Sequence, residues 1–425
     1  MRFDTLAAWL DWQERLHPLG IDLGLDRVGR VLAAMGLASP PFRAVTVGGT
    51  NGKGSCVAVL EALAREHGWR TGAYTSPHLV RYNERVRVDG ADSDDAVLLE
   101  AFDAVDRARG DTTLTYFEYG TLAALEVFRR RAVELAVLEV GLGGRLDAVN
   151  AIDPEAAIVT SVGLDHVEWL GPDRERIGAE KAGIFRAGRP AVIGDRQPPA
   201  SLLAAAGEDA LRLGIDFERG ESGATWWWRD ARSTLHGLPR DRLGAPALLD
   251  NASCALAAFA RVAPPGALHD AMARRALAGL HLPGRLQRVP GPVEWWLDVA
   301  HNADGAAVLA GALAAAPGAG RTIAVTGILG DKDIEAIAAV MASQVDHWIA
   351  VGLPRPRGLA ATALAARISP VVRAVVSTAP DVVTGCSDAL AVAMPGDRVV
   401  VFGSFHVVGP ALEWLAVYSR AAVGR

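Results

Sequence analysis

The sequence predicts an α/β protein of two domains in series, the first a P-loop-type domain on a mostly parallel sheet, the second smaller and Rossmann-like. Short apolar runs alternate with helical patterns along most of the 425 residues, the element order that builds doubly wound sheets. Leu282-Pro283-Gly284-Arg285 reads as a hinge, because Pro and Gly interrupt the pattern, and a second strand series starts beyond it. Near the N-terminus an apolar run breaks into glycines, Val45-Thr46-Val47-Gly48-Gly49-Thr50-Asn51-Gly52-Lys53-Gly54-Ser55. That is a strand, a loop and the start of a helix.

Taken in order, Leu6, Trp9, Leu10, Trp12 and Leu16 interrupt polar residues as an amphipathic helix does, and Met1 to Gly20 lacks the basic and apolar regions of a signal peptide. Strands are expected at Ala44–Val47, Thr71–Thr75, Leu135–Val140, Ala156–Val162 and Ala191–Ile193, with helices between most of them. From Gly220 to Ala245 the pattern changes to a small hairpin around Trp226-Trp227-Trp228, where aromatics pack on a half-buried surface. A helix follows from about Asn251 to Arg261. The second series comprises Glu294–Val299, Thr322–Val325, His347–Val351, Val371–Val376 and Val399–Phe402, with helices at Gly305–Ala316 and Ile334–Ser343. A cleft between two such domains is the expected active site.

Half the residues are apolar, 22% are charged and the net charge is −6 without a basic tract. That balance argues against nucleic acid or an anionic membrane as a partner. Ala306 to Ala316 is too short to span a bilayer. Cys56, Cys254 and Cys386 lie far apart without metal-ligand spacing, as reduced thiols do. A cytoplasmic monomer is the expectation.

A glycine-rich strand-to-helix loop aims backbone N–H groups at one point, and Lys53 adds a charge for terminal phosphates. The P-loop match is imperfect: Gly54 stands where Ser/Thr is usual, and Val47 where the leading glycine should be. A glycine-rich turn with a solvated lysine is the plain alternative. Ligands of open α/β sheets gather beyond the carboxyl ends of the strands. Ser76, Glu139, and Asp165 with His166 all fall at such ends. Glu139 closes an apolar strand, where a lone carboxylate is costly, so a metal or a buried cation is expected beside it. Ser76 before Pro77 also reads as the start of a turn, and a single histidine such as His166 as structural, since magnesium prefers oxygen. Lys181, in Gly178-Ala179-Glu180-Lys181-Ala182-Gly183, reads by default as a surface lysine beside Glu180, while its place after the Glu139 strand and the tight Ala-Gly packing around it leave a buried role open.

Gly-Thr-Asn-Gly-Lys-Gly (49–54), Ser-Pro-His-Leu (76–79), Glu-Val-Gly-Leu-Gly-Gly-Arg-Leu-Asp-Ala (139–148), Leu-Asp-His (164–166) and Glu-Lys-Ala-Gly-Ile-Phe (180–185) resemble the folylpolyglutamate synthase/dihydrofolate synthase family, within the Mur ligase superfamily. Leu-Pro-Gly-Arg (282–285), Asp-Val-Ala-His-Asn (298–302), Asp-Lys-Asp (331–333) and Gly-Ser-Phe-His (403–406) continue it in order, from about Leu6 to Leu415. The resemblance implies an ATP- and pteroate-binding ATPase domain over 1–282 and a ligase domain over 283–425. Thr50, Asn51, Gly52, Lys53, Asn251, Arg285 and Asp298 would hold ATP. Ser76, Glu139 and His166 would ligate Mg²⁺, and a monovalent cation could accompany it. Lys181 would be carbamylated, which turns a repelling ammonium into oxygen ligands. Lys53, Lys181 and His166 form the catalytic set. Pteroate would meet Asp22, Leu23, Gly24 and Leu25, then Thr115, Tyr116, Phe117 and Glu118, then Leu146, Asp147 and Ala148. His301 and Ser404 are candidates for the incoming glutamate. Ala303 departs from the family, whose members often carry proline there.

The implied reaction is ATP-dependent ligation of L-glutamate to dihydropteroate and to reduced folates through an acyl phosphate. Leu114 to Thr121 resembles the bifunctional bacterial form; a monofunctional folylpolyglutamate synthase is the alternative. A muramyl-peptide ligase shares the chemistry, but a phosphate loop near residue 49 leaves no room for an N-terminal nucleotide-sugar domain. A nucleotide-binding module without catalysis is the remaining reading, against which Glu139, His166, Lys181 and Asp298 stand together.

Overall fold

The computed structural model describes residues 1–316, 320–354 and 357–423. Two compact units emerge: Met1–His78 with Tyr82–His281, and Leu79–Arg81 with the chain from Leu282 on. The boundary expected after residue 282 thus falls one residue late. Leu79–Arg81, expected in the first domain, goes with the second, because Leu79 packs against that unit's core.

The main sheet of the first unit runs β4-β3-β2-β5-β1-β6-β7-β8. Its strands are β1 (Arg43–Gly48), β2 (Thr71–Tyr74), β3 (Val86–Val88), β4 (Ala91–Asp92), β5 (Leu135–Glu139), β6 (Ala156–Val159), β7 (Ala191–Ile193) and β8 (Leu211–Arg212). β2, β5, β1, β6, β7 and β8 are parallel, with β3 and β4 antiparallel at one edge. The central strands are buried throughout, which is why they read as unbroken apolar runs. β3, paired with β2 on one side and β4 on the other, carries Arg87 between two valines and escaped prediction, because three residues with a central charge do not read as an apolar run.

The register does the functional work of this sheet. Tyr74 pairs with Leu138, Val47 with Glu139 and Gly48 with Val159, so the carboxyl ends of β2, β5, β1 and β6 finish side by side. The helix Lys53–Glu66 starts at that edge. The N-terminal helix Leu6–Leu16 is capped by Thr5 and buries Trp9 against Phe102 and Tyr119.

The expected hairpin is a three-stranded antiparallel sheet, β9 (Phe217–Ser222), β10 (Thr225–Asp230) and β11 (Thr234–Pro239). Trp226 and Trp228 are fully buried, while Trp227, on the opposite face, lies under the Arg229 guanidinium.

The second unit holds one six-stranded sheet, β12-β13-β17-β14-β15-β16. The ranges are β12 (Gln287–Val289), β13 (Glu294–Asp298), β14 (Thr322–Thr326), β15 (His347–Val351), β16 (Val375–Ala379) and β17 (Arg398–Phe402). Only β12 is antiparallel. Along β17, Val399 and Val401 enter one core and Val400 and Phe402 the other, so helices cover both faces. β16 starts four residues after the expected Val371. Val371 instead closes a turn onto the Ile368 carbonyl, and the edge strand runs through the polar Ser377 and Thr378. The three cysteines are free and buried. No helix of the described residues is long and apolar enough to cross a membrane.

Candidate active site

The phosphate loop is locked to the end of β6. Thr50 N–H donates to the Ser161 carbonyl at 2.8 Å, Thr160 Oγ1 to the Asn51 carbonyl at 2.7 Å, and Gly163 N–H to Thr50 Oγ1 at 2.9 Å. Gly52 caps the helix at φ 88°, where a Cβ would collide with the amide of Asn251. Asn251, distant in sequence, therefore touches the loop from the helix Pro246–Val262. The Lys53 ammonium donates to the carbonyls of Gly49 and Thr50 at 3.1 and 3.2 Å.

Glu139 is buried at the end of β5, and the Ser76 N–H donates to its Oε2 at 3.3 Å. His166 adopts φ 51°, and its N–H donates to Asp165 Oδ1. Lys181 occupies the last turn of the helix Arg174–Ala182 and is only 3% exposed. The surface reading of Lys181 is thereby corrected: Glu180 pairs with Arg145 at 2.8 Å, while Lys181 turns inward. Burial, with the repulsion of Lys53, pushes the Lys181 amine down to about 7. Asp165 and Asp147 oppose that shift, which places all four charges in one neighbourhood.

Asp147 accepts the N–H groups of Leu142 and Val149 at 2.9 and 3.0 Å, and burial still pushes it up to about 7. Phe117 lies over Gly141, where a Cβ would meet its ring at 2.6 Å, and stands 5.9 Å from Tyr74. Thr115 and Glu118 form a capping box at the start of the helix Tyr116–Arg130. The segments around Phe117 and Asp147 thus adjoin at the Gly141 turn, with Ala148 buried and Leu146 half-buried beside them. Asp22, Leu23, Gly24 and Leu25 form a half-buried loop joined to Glu118 through Arg27.

In the second unit Asp298 ends β13 and accepts the N–H groups of Leu286 and Ala300, both at 2.8 Å. Burial pushes its carboxyl up to about 6, against the pull of those bonds and of Arg285 and His301. His301 Nδ1 lies 2.8 Å from the Val299 carbonyl, and its ring 6.4 Å from Phe405. Asn302 caps the next helix through Gly305, so Ala303 in the usual proline position leaves the helix start intact. Ser404 is buried, and its Oγ accepts the His406 N–H at 3.1 Å. Asp298 pairs with Phe402, which sets the His301 and Ser404 loops at neighbouring strand ends.

Comparison with known proteins matches residues 47–240 to the Mur ligase middle domain and 284–405 to the Mur ligase glutamate ligase domain. The dihydrofolate synthase/folylpolyglutamate synthase of Escherichia coli (strain K12) is 42% identical over 96% of this chain and 95% of its own. The chain belongs to that family. The structure of Escherichia coli FolC in complex with DHPP and ADP superposes with a TM-score of 0.92 at 41% identity, covering 98% of this chain and 99% of that one. The bifunctional folylpolyglutamate synthase/dihydrofolate synthase of Yersinia pestis, complexed with AMPPNP and Mn ion, gives 0.90 at 40% identity over 97% and 98%.

For this dihydrofolate synthase/folylpolyglutamate synthase chain, the donor chemistry fits a hard divalent cation. The Ser76 hydroxyl and the buried Glu139 carboxylate would offer oxygen at adjoining strand ends, and His166, beyond the end of β6, would offer nitrogen. Among the described residues no three His, Cys, Asp or Glu side chains group to hold a metal, and only two of this donor set are of those types. Sequence reading missed Thr160 and Ser161, although paired hydroxyls at the end of an apolar strand were a usable signal. It also missed Arg27, which looks like a solvated helix residue.

Proposed function

We propose that the chain is a bifunctional ligase that joins L-glutamate to dihydropteroate and to reduced folates, using ATP. Membership of a bifunctional family over nearly the whole chain carries this reading. A carboxylate does not react with an amine at neutral pH. An oxygen of the substrate carboxylate attacks the γ-phosphorus, the bond to the β-bridging oxygen breaks, and ADP leaves with the electron pair. The glutamate amine then attacks the acyl carbon; phosphate departs, and the amine gives up a proton.

The loop Thr50–Lys53 holds the phosphates, with N–H groups and the helix start directed at them and Lys53 neutralising charge on the γ-phosphoryl. Magnesium, when bound, supplies further neutralisation of the triphosphate, with Ser76, Glu139 and His166 as its protein ligands. Asn251 reaches the loop beside Gly52. In the second unit Arg285 and Asp298 serve the nucleotide, and His301 and Ser404 the glutamate. The flat pterin meets Phe117 and Tyr116, with the Asp22–Leu25 loop and Leu146–Ala148 around it.

Lys181 is carbamylated: its neutral amine attacks CO₂, one proton is released, and the side chain becomes an anion. An amine pushed down to about 7 is substantially neutral at working pH, and the anion removes the repulsion with Lys53. The deciding experiment is phosphate release by the purified protein with ATP and glutamate, given dihydropteroate and tetrahydrofolate side by side. Turnover with both substrates is expected; turnover with tetrahydrofolate alone would make the chain monofunctional, and turnover with neither would end the ligase reading.

A further inference from the structure

One guanidinium spans the loop Asp22–Leu25 and the first turn of the helix Tyr116–Arg130. Arg27, at the start of the helix Asp26–Ala34, donates from Nη1 to Asp22 Oδ2 at 2.5 Å and from Nη2 to the Asp22 carbonyl at 2.7 Å. The same Nη2 reaches Glu118 Oε1 at 3.0 Å, and Nε reaches that oxygen at 3.2 Å. Glu118 is 3% exposed, and its other oxygen accepts the Thr115 N–H at 2.7 Å, while its own N–H donates to Thr115 Oγ1 at 3.2 Å. A planar fork of fixed geometry thus links a loop with no ladder of its own to a rigid helix start. His17 Nε2 stands 3.4 Å from Asp22 Oδ2, so the loop keeps a second tether.

We propose that Arg27 is a positioning residue for the pteroate, holding the Asp22–Leu25 loop at a fixed distance from Thr115–Glu118 so that both present one preformed surface to the ring. This rests on the reading that those two segments take the pteroate. A lysine at 27 keeps the charge but cannot span two carboxylates, and a methionine keeps most of the volume but neither bond.

Steady-state kinetics of full-length Arg27→Lys and Arg27→Met, with dihydropteroate, ATP and glutamate varied in turn, test it. Both variants are expected to raise the KM for dihydropteroate by about tenfold, methionine more than lysine, with the KM values for ATP and glutamate unchanged. A purely structural role would lower the melting temperature and the active fraction, hence the apparent kcat, without a selective KM change. An unchanged KM for dihydropteroate in both variants, or a rise shared by all three substrates, overturns the proposal. Phe117→Ala separates the two layers. If it raises the KM for dihydropteroate while the Arg27 variants do not, only the clamp is wrong; if it does not, the pteroate reading falls and the inference with it.

Discussion

The carboxyl edges of the two sheets handle charge in opposite ways. At the edge of the first, Lys53 and Lys181 sit close enough to repel, and burial adds to the strain on Lys181. At the edge of the second, Asp298 is also withdrawn from water, yet its oxygens are taken by the N–H groups of Leu286 and Ala300. The first edge is built for anions brought from outside; the second has its counter-dipoles built in. Substitutions at the first should therefore strike chemistry and spare the fold, whereas those at the second should strike local structure as well.

The largest effect is expected from Lys53→Ala. Its ammonium bonds only loop carbonyls in its own turn, so the fold should survive. Turnover should fall by roughly 100-fold or more, the scale set by removing one transition-state charge partner. Near-normal turnover with an unchanged melting temperature would erase the contrast between the two edges.

Next comes Lys181→Arg. A guanidinium does not capture CO₂ and would bring a permanent cation beside Lys53, so turnover should be lost. Mass spectrometry under native conditions, or ¹³C NMR with labelled bicarbonate, should find CO₂ on the wild-type side chain and none on the variant. Lys181→Ala should regain part of its activity from a small carboxylic acid. A fully active Lys181→Arg enzyme would sink carbamylation and leave the ligase assignment standing.

Glu139→Gln keeps the shape of the β5 terminus and removes one charge. The Mg²⁺ concentration that supports half-maximal turnover should rise by about tenfold or more, as when a ligand sphere is disturbed. An unaltered Mg²⁺ profile would show that Glu139 serves its neighbours in the protein instead, Arg87 among them.

These contrasts also mark what a sequence makes legible. The buried strands β1, β5, β6 and β17 were readable because parallel strands covered on both faces are continuous apolar runs. The short strand β3 and the edge strands β8 and β16 were missed or displaced because charge and hydroxyls interrupt them. Lys53 and Glu139 announced themselves at strand ends. Lys181 did not, because the face that its nine-residue helix buries is made of Ile177, Gly178, Ala182 and the lysine itself, too few apolar side chains to mark it as inward. Asn251, in an alanine-rich helix far along the chain, meets Gly52 only through tertiary packing. Arg27 and Glu118 lie 91 positions apart, and nothing local couples them.

The smallest effect, and the one that sharpens the comparison most, belongs to Asp298→Asn. The aspartate uses Oδ2 for Leu286 and Oδ1 for Ala300. Asparagine offers a single acceptor oxygen, so one buried N–H loses its partner at a cost of about 1–3 kcal/mol. The pH dependence then tests the charge state. With its folded value pushed up to about 6 from the ordinary 3.8, Asp298 keeps a proton in the fold that the unfolded chain has released. Its contribution to stability is therefore greatest below the ordinary carboxylate range and is lost as pH rises toward 6. Asparagine does not titrate. Urea unfolding of wild type and variant, compared from about pH 4 to about pH 7, should show the deficit of the variant narrowing as pH rises. A deficit that widened over the same interval would mean that the backbone donors overcome burial and hold Asp298 ionised well below 6. The second edge would then be a preformed anion, and the contrast with the lysine pair of the first would be sharper still.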